Sequence, residues 1–164
     1  MQYFIGLGSN IEPEKNIIRM IKALFQWSKR VDVSEIYRFA PQKMDSDQYF
    51  LNTVVRIQTP LERQALKAQL VQLEERLGRD RSDPSKKTKD RTADLDIVAV
   101  LSQTERQFDI ANLEEEEYVI QPLDRLLQFL AFESNMVVAD KILNKKELQF
   151  GGIKIGEKAV SLYE

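Results

Sequence analysis

Residues 91–101 read Arg91-Thr92-Ala93-Asp94-Leu95-Asp96-Ile97-Val98-Ala99-Val100-Leu101, and this stretch completes the pattern of elements from which the fold is predicted. Its apolar second half predicts a β-strand. Asp94 and Asp96 are two residues apart, so in a strand both carboxylates leave the same face at a spacing of roughly 7 Å. Oxygen ligands placed in this way can share Mg²⁺. The alternative is a solvated polar face on a half-buried strand.

The segment before this strand predicts a helix followed by a basic loop. Thr59 can cap the helix, Pro60 fits its first position and Glu62 completes a capping box. Four leucines at helical spacing predict its buried stripe: Leu66, Leu70, Leu73 and Leu77. Gly78 is suited to end the helix. Residues 79–90 then form a loop rich in Arg and Lys.

Four elements are predicted upstream of this helix. Residues 3–7 predict a strand that ends at a turn formed by Gly8, Ser9 and Asn10. Pro13 opens a helix with a stripe of apolar side chains: Ile17, Ile18, Ile21, Leu24 and Phe25. Strands at residues 31–37 and 49–58 follow, separated by a polar loop at 42–48. In the second of these strands, Phe50 and Asn52 share one face.

The order β-α-β-β-α-β up to Leu101 is that of the ferredoxin-like split motif. We therefore predict the α+β class, with a ferredoxin-like core in which helices pack on an antiparallel sheet. Beyond this core, residues 107–110 predict a strand, residues 122–132 a helix, and the tail after Met136 short strands or turns. No repeat or linker interrupts the chain, so residues 1–164 are predicted to form a single domain.

Composition removes several classes of function. The chain has no cysteine and no histidine, which excludes disulfide scaffolds, thiolate or histidine metal sites and Ser-His catalysis. A net charge of -2 argues against a general nucleic-acid binder. No apolar stretch approaches the roughly 20 residues of a membrane span, and the N-terminus lacks a signal-peptide pattern. We predict a cytoplasmic protein with no membrane or nucleic-acid partner.

Two groups of polar residues are candidates for ligand binding. Arg79, Arg81 and Arg91 carry planar, permanently charged groups that bind phosphate bidentately. The alternative is that these arginines only complement the dipole at the end of the helix and are otherwise solvated in the loop. Together with the two aspartates they predict a site for a metal-bound polyphosphate. Phe50 and Asn52 would offer an aromatic platform beside an amide, which suits a flat heterocycle, although a core phenylalanine and a capping asparagine are the simpler interpretation.

The chain resembles the 6-hydroxymethyl-7,8-dihydropterin pyrophosphokinases of folate biosynthesis. The resemblance covers about the first hundred residues and rests on four segments in family order: Phe4 to Asn10, Ser34 to Tyr37 with Tyr49 to Asn52, Leu73 to Arg81, and Arg91 to Ile97. It implies transfer of the β,γ-pyrophosphoryl group from ATP to the hydroxymethyl oxygen of the pterin, with release of AMP.

The resemblance also implies a set of site residues. Asp94 and Asp96 would hold two Mg²⁺ ions and, with Arg79 and Arg91, form the catalytic set. ATP would contact Glu74, Arg79, Arg81 and Arg91. The pterin would contact Gly8, Phe50, Asn52 and Tyr118. The partners would be these two small molecules, and the protein would be a monomer or a weak homo-oligomer.

Departures from the family pattern leave two other hypotheses open. Phe39 and Ala40 replace a Thr-Pro pair, residues 87–90 replace a Trp-Gly-Pro segment, and residues 110–117, including Glu114 to Glu117, replace a histidine and an arginine that face phosphate. A relative that binds pterin or nucleotide without efficient turnover is therefore the first alternative. The second is an RNA-binding module, which rests only on strand order and the basic loop.

Overall fold

In the computed structural model, which describes residues 1–41, 46–84, 89–135, 138 and 144–164, a mixed set of helices and strands forms around one large sheet. In chain order the elements are β1 (Gln2–Ser9), α1 (Pro13–Leu24), β2 (Arg30–Val33), β3 (Tyr37–Phe39), β4 (Phe50–Gln58), α2 (Arg63–Arg76), β5 (Asp94–Leu101), β6 (Gln107–Phe108), α3 (Glu117–Phe129), β7 (Glu133–Ser134), β8 (Leu148–Phe150), β9 (Ile153–Ile155) and β10 (Val160–Tyr163).

The large sheet has the order β10-β2-β4-β1-β5. β2 pairs with the last part of β4, and β3 pairs with its first three residues. All of its pairings are antiparallel. The predicted fold class is therefore confirmed, and the C-terminal tail adds β10 to one edge. Two small sheets, β6 with β7 and β8 with β9, lie outside it. No helix in the described parts of the chain is long and apolar enough to cross a membrane.

Alternation along β1 divides the core between the two faces of the sheet. Tyr3, Ile5 and Leu7 are buried against α1 and α2, whose leucine stripe lies in the same cluster. Phe4 points to the opposite face and belongs to a second cluster that includes α3 side chains. There its ring meets Phe108 edge-on at 5.1 Å. The sheet thus has α1 and α2 on one face and α3 on the other.

The predicted start of α2 is wrong. The helix begins at Arg63, and its N-cap residue Glu62 makes no capping side-chain bond. Thr59 is used differently, because its Oγ1 accepts a hydrogen bond from the N–H of Leu61 and so stabilises a turn before the helix. The predicted end is confirmed: Gly78 follows the last turn with φ +95°, a conformation that favours glycine.

Strand 31–37 is also divided. β2 ends at Val33 and β3 begins at Tyr37. Between them the N–H of Ile36 donates to the carbonyl of Gly156, and the carbonyl of Ile36 accepts from Lys146. The C-terminal segment therefore takes the backbone bonds that a continuous strand would have given to β4.

The elements predicted after Leu101 are present with other bounds. β6 is only two residues long, and α3 begins at Glu117 and ends at Phe129 instead of spanning 122–132. Pro122 lies inside α3, so the helical bond from residue 122 to the carbonyl of Tyr118 cannot form. β8, β9 and β10 agree with the short strands predicted for the tail. Parts of the predicted loops at 42–48 and 79–90 lie outside the described residues.

Candidate active site

Two glycines in the central strand open a cleft on the α3 face of the sheet. In the antiparallel registers, Gly8 lies between Asn52 on β4 and Asp94 on β5, and Gly6 lies between Val54 and Asp96. A Cβ atom on Gly8 would stand 2.9 Å from Oδ1 of Asn52, closer than Cβ atoms are found to polar atoms. The missing side chains therefore leave space above β1, flanked by an amide and two carboxylates.

The cleft is closed on its far side by the segment that leads into α3. Its lining consists of Gly6, Leu7, Gly8, Asn52, Thr53, Asp94, Asp96, Val98, Glu115, Tyr118 and Val119. Five residues singled out from the sequence thus meet in one place: Gly8, Asn52, Asp94, Asp96 and Tyr118. Phe50 does not belong to the described lining, because it lies half-buried at the first position of β4, opposite Phe39.

Asp94 is held by two arginines. One of its carboxylate oxygens accepts a short hydrogen bond from Arg79, and the other accepts from Arg91 at 2.7 Å. Burial alone would raise the pKa of this carboxyl group, but the two guanidinium groups outweigh burial and hold the pKa below its usual value. Asp94 therefore stays ionised in the pH range where proteins work.

Glu74 binds Arg79 as well, together with Arg81. Its side chain is fully buried and accepts from Arg79 at 2.9 Å, from Arg81 at 2.7 Å and from the backbone N–H of Leu95 at 2.7 Å. Desolvation raises the pKa of Glu74, and the Leu95 N–H and the two arginines offset it only in part. The buried carboxylate of Glu74 thus connects the end of α2 to β5 and holds Arg79 and Arg81 in position.

Asn10 holds the segment that carries Arg91 against the end of β1. Its Oδ1 accepts from the N–H of Arg91 at 2.8 Å, and its Nδ2 donates to Asp90 at 2.6 Å. The sequence indicated only a turn at Asn10. A role in positioning Arg91 becomes visible only when the two segments, eighty-one residues apart, lie side by side.

Asp96 differs from Asp94 in both exposure and partner. About two-thirds of its side chain (67%) is exposed, and Oδ1 accepts from Nζ of Lys67 on α2 at 2.7 Å. Lys67 was not among the site residues predicted from the sequence. The helical spacing gave a signal for it, because Lys67 and Glu74 are two helical turns apart and so project from α2 in a similar direction. Asp96 is therefore open to solvent and to a ligand.

The carboxylate oxygens of the cleft suit a hard cation that takes most of its ligands from phosphate and water. Among the described residues no group of three or more acidic side chains is arranged to hold a metal ion. Asp94 and Asp96 offer two carboxylates on one face of β5, as the sequence predicted. Mg²⁺ is commonly bound by one or two carboxylates, with phosphate oxygens and water completing an octahedron. These residues therefore fit Mg²⁺ bound together with a polyphosphate.

One side of the cleft is acidic. Glu115 lies in its lining although much of the side chain is exposed. Partial desolvation, and then the charges of Asp96 and Glu116, raise the pKa of Glu115. A negative charge in this position opposes an anionic ligand.

Comparisons with a family model and with two individual proteins indicate the same family. The model of the 7,8-dihydro-6-hydroxymethylpterin-pyrophosphokinase family matches residues 4–128, a range that contains the whole cleft. The chain is 28% identical over 149 residues to 2-amino-4-hydroxy-6-hydroxymethyldihydropteridine pyrophosphokinase of Haemophilus influenzae, covering 85% of this chain and 89% of that protein. It is 34% identical over 110 residues to the protein of the same name from Campylobacter jejuni, covering 62% of this chain and 65% of that protein.

Proposed function

The chain belongs to the 7,8-dihydro-6-hydroxymethylpterin-pyrophosphokinase family, and we propose that it transfers pyrophosphate from ATP to 6-hydroxymethyl-7,8-dihydropterin. The observation that carries this proposal is the row formed by Asn52, Gly8 and Asp94 across three strands, with two arginines fixed on Asp94. It combines an amide suited to a heterocycle and room for a ligand in one cleft, with two arginines suited to phosphate held behind Asp94 at the edge of that cleft.

In the proposed reaction the hydroxymethyl oxygen attacks the β-phosphorus of ATP. The new bond joins that oxygen to the β-phosphorus, and the hydroxyl proton would pass to Asp96 or to water. The bond between the β-phosphorus and the α-phosphate oxygen breaks, and AMP leaves. Asp94 and Asp96 would hold two Mg²⁺ ions, which would supply charge compensation for the triphosphate. Arg79 and Arg91 would stabilise the charge that develops on the leaving AMP phosphate, because guanidinium groups bind phosphate bidentately.

The remaining assigned residues position these groups or the acceptor. Glu74 would keep Arg79 and Arg81 at the nucleotide end of the site, since both arginines donate to it. Gly8, Asn52 and Tyr118 would contact the pterin within the cleft, and Phe50 would stack at its edge. Most of the catalysis would come from alignment and electrostatics, as is typical of phosphoryl transfer.

A coupled assay of AMP release tests this proposal directly. The protein is incubated with ATP, Mg²⁺ and 6-hydroxymethyl-7,8-dihydropterin, and the same mixture without the pterin measures background hydrolysis. We expect AMP and the pterin pyrophosphate to accumulate in equal amounts. AMP formation that does not depend on the pterin would contradict the proposal.

The acidic side of the cleft favours one alternative, a relative that binds its ligands without efficient turnover. Glu115 places a negative charge in the cleft that Asp94 and Asp96 also line, so ATP binding or catalysis would be weakened. Calorimetry with the pterin and a non-hydrolysable ATP analogue separates the two cases. Tight ternary binding without AMP release supports the alternative, and pterin-dependent AMP release eliminates it.

Replacing Gly8 by Ala is expected to weaken pterin binding about tenfold, because overpacking of this kind costs roughly 1–3 kcal/mol. The added methyl group would meet Oδ1 of Asn52 at 2.9 Å and displace the amide from the acceptor. Gly6→Ala is the matched control, since its methyl group would make only ordinary contacts, with Val98 Cγ2 at 3.5 Å and the backbone carbonyl of Asp96 at 3.9 Å. Calorimetry measures both dissociation constants, and equal losses in the two variants would contradict the prediction.

Replacing Glu115 by Gln is expected to tighten binding of the ATP analogue about fivefold near neutral pH, because a partly exposed charge contributes up to about 1 kcal/mol. The pKa of Glu115 is raised, so its charge is lost as the pH falls through that raised value. The difference between wild type and variant should therefore shrink on acidification from about pH 8 to about pH 5. Glu114→Gln is the control, and a pH-independent difference would count against this role.

A further inference from the structure

The ion pair between Lys67 and Asp96 links α2 to the exposed side of the candidate site. Nζ of Lys67 lies 2.7 Å from Oδ1 of Asp96, and the two side chains are 40% and 67% exposed. Within the parts of the chain that the structure describes, no other side chain hydrogen-bonds to Asp96. Exposed pairs of this kind contribute little to stability because solvent screens them. The structural need for this lysine is therefore small.

The pair completes a pattern in which the three carboxylates Glu74, Asp94 and Asp96 each have a cationic partner before any ligand binds. Asp94 is paired with Arg79 and Arg91, and Glu74 with Arg79 and Arg81. Asp96 is the most exposed of the three carboxylates, and its lysine can leave by simple rotation into the adjoining groove of about 280 Å³, which Lys67 itself lines. A lysine ammonium on a flexible stem suits a partner that must exchange.

We propose that Lys67 is an exchangeable counter-ion: it neutralises Asp96 in the free protein, gives up that oxygen when a divalent cation binds, and then binds the phosphate chain of the nucleotide. The inference rests on the proposed function for the identity of the nucleotide. The negative charge of Glu115 in the cleft favours this inference, because it would repel the phosphate chain. A cation supplied from α2 would offset that repulsion.

The exchange predicts two effects of opposite sign when Lys67 is replaced by Met. Mn²⁺ alone, followed by electron paramagnetic resonance as a probe of the metal site, should bind about two- to fivefold more tightly, because it no longer competes with an ammonium group. A non-hydrolysable ATP analogue in the presence of Mg²⁺ should bind about tenfold more weakly, because a charge-assisted contact to phosphate is lost. Lys67→Arg, which keeps the charge, should restore most of both values.

Lys15→Met is the matched control, because it breaks another exposed lysine–carboxylate pair, with Glu12 at 3.0 Å, outside the cleft. It should change neither dissociation constant. Unchanged or weaker Mn²⁺ binding in Lys67→Met, or unchanged binding of the ATP analogue, would overturn the inference. Both readouts are binding measurements, so they decide it independently of turnover, whereas absence of pterin-dependent AMP release would contradict only the proposed function.

Discussion

Replacing Asp96 by Asn is expected to lower kcat/KM for pterin-dependent AMP release about a thousandfold, which corresponds to about 4 kcal/mol of lost transition-state stabilisation. The amide keeps the shape of the side chain but removes its negative charge. Asp96 is the exposed one of the two carboxylates that face the cleft from β5, and it does not hold either arginine. Its substitution would therefore remove the proposed metal ligand without releasing Arg79 or Arg91.

The fold should be unaffected, because Asp96 is 67% exposed and its pair with Lys67 is screened by solvent. Thermal unfolding checks this, and AMP release at several Mg²⁺ concentrations gives the kinetic effect. Asp94→Asn provides a contrast, because it also removes the partner of Arg79 and Arg91 and should lose stability as well as activity. Near-normal turnover by a folded Asp96→Asn variant would contradict the assignment of Asp96 as a metal ligand.

Local sequence rules were sufficient for the elements whose signals are repeated many times. The apolar run at residues 97–101 correctly predicted a strand that has both aspartates toward one side, and the leucine stripe correctly predicted α2. The order of these elements led to the α+β class, which the structure confirms. Each of these predictions depends on periodicity, which a single chain displays directly.

Sequence rules failed where two parts of the chain compete for the same backbone group. Thr59 is a residue type suited to a helix cap, yet it lies three residues before the N-cap of α2 and forms a turn with Leu61. The strand predicted at 31–37 is divided because Gly156 and Lys146 bond to Ile36. The division of the strand is not visible locally, since the partners of Ile36 lie more than a hundred residues away.

The sequence predicted which types of residue belong to the candidate site, but not how the paired strands bring them side by side. The register that places Gly8 between Asn52 and Asp94 depends on how three strands pair, and no local pattern sets that register. The roles of Lys67 and Asn10 likewise depend on contacts across the chain. The resemblance to a pyrophosphokinase family supplied the residue roles, and the structure supplies the contacts from which those roles can be tested.

Replacing Glu74 by Gln is expected to lower the free energy of unfolding by about 3 kcal/mol, in the range measured when one partner of a buried ion pair is removed. Glu74 is fully buried, and its loss of charge would leave Arg79, only 11% exposed, with Asp94 as its remaining acidic partner. Burial of the ionised carboxylate is costly, and this desolvation raises the pKa of Glu74. Its presence is therefore better explained by the arginines that it positions than by stability alone.

The two roles can be separated by measuring both quantities. Urea unfolding gives the stability change, and Glu75→Gln, on the exposed side of the same helical turn, is the control that should change it little. At a temperature where Glu74→Gln remains folded, kcat/KM for AMP release should still fall at least tenfold, because Arg79 and Arg81 lose their common anchor. A destabilised variant with wild-type turnover would show that Glu74 serves the fold and that the arginines are positioned by Asp94 alone.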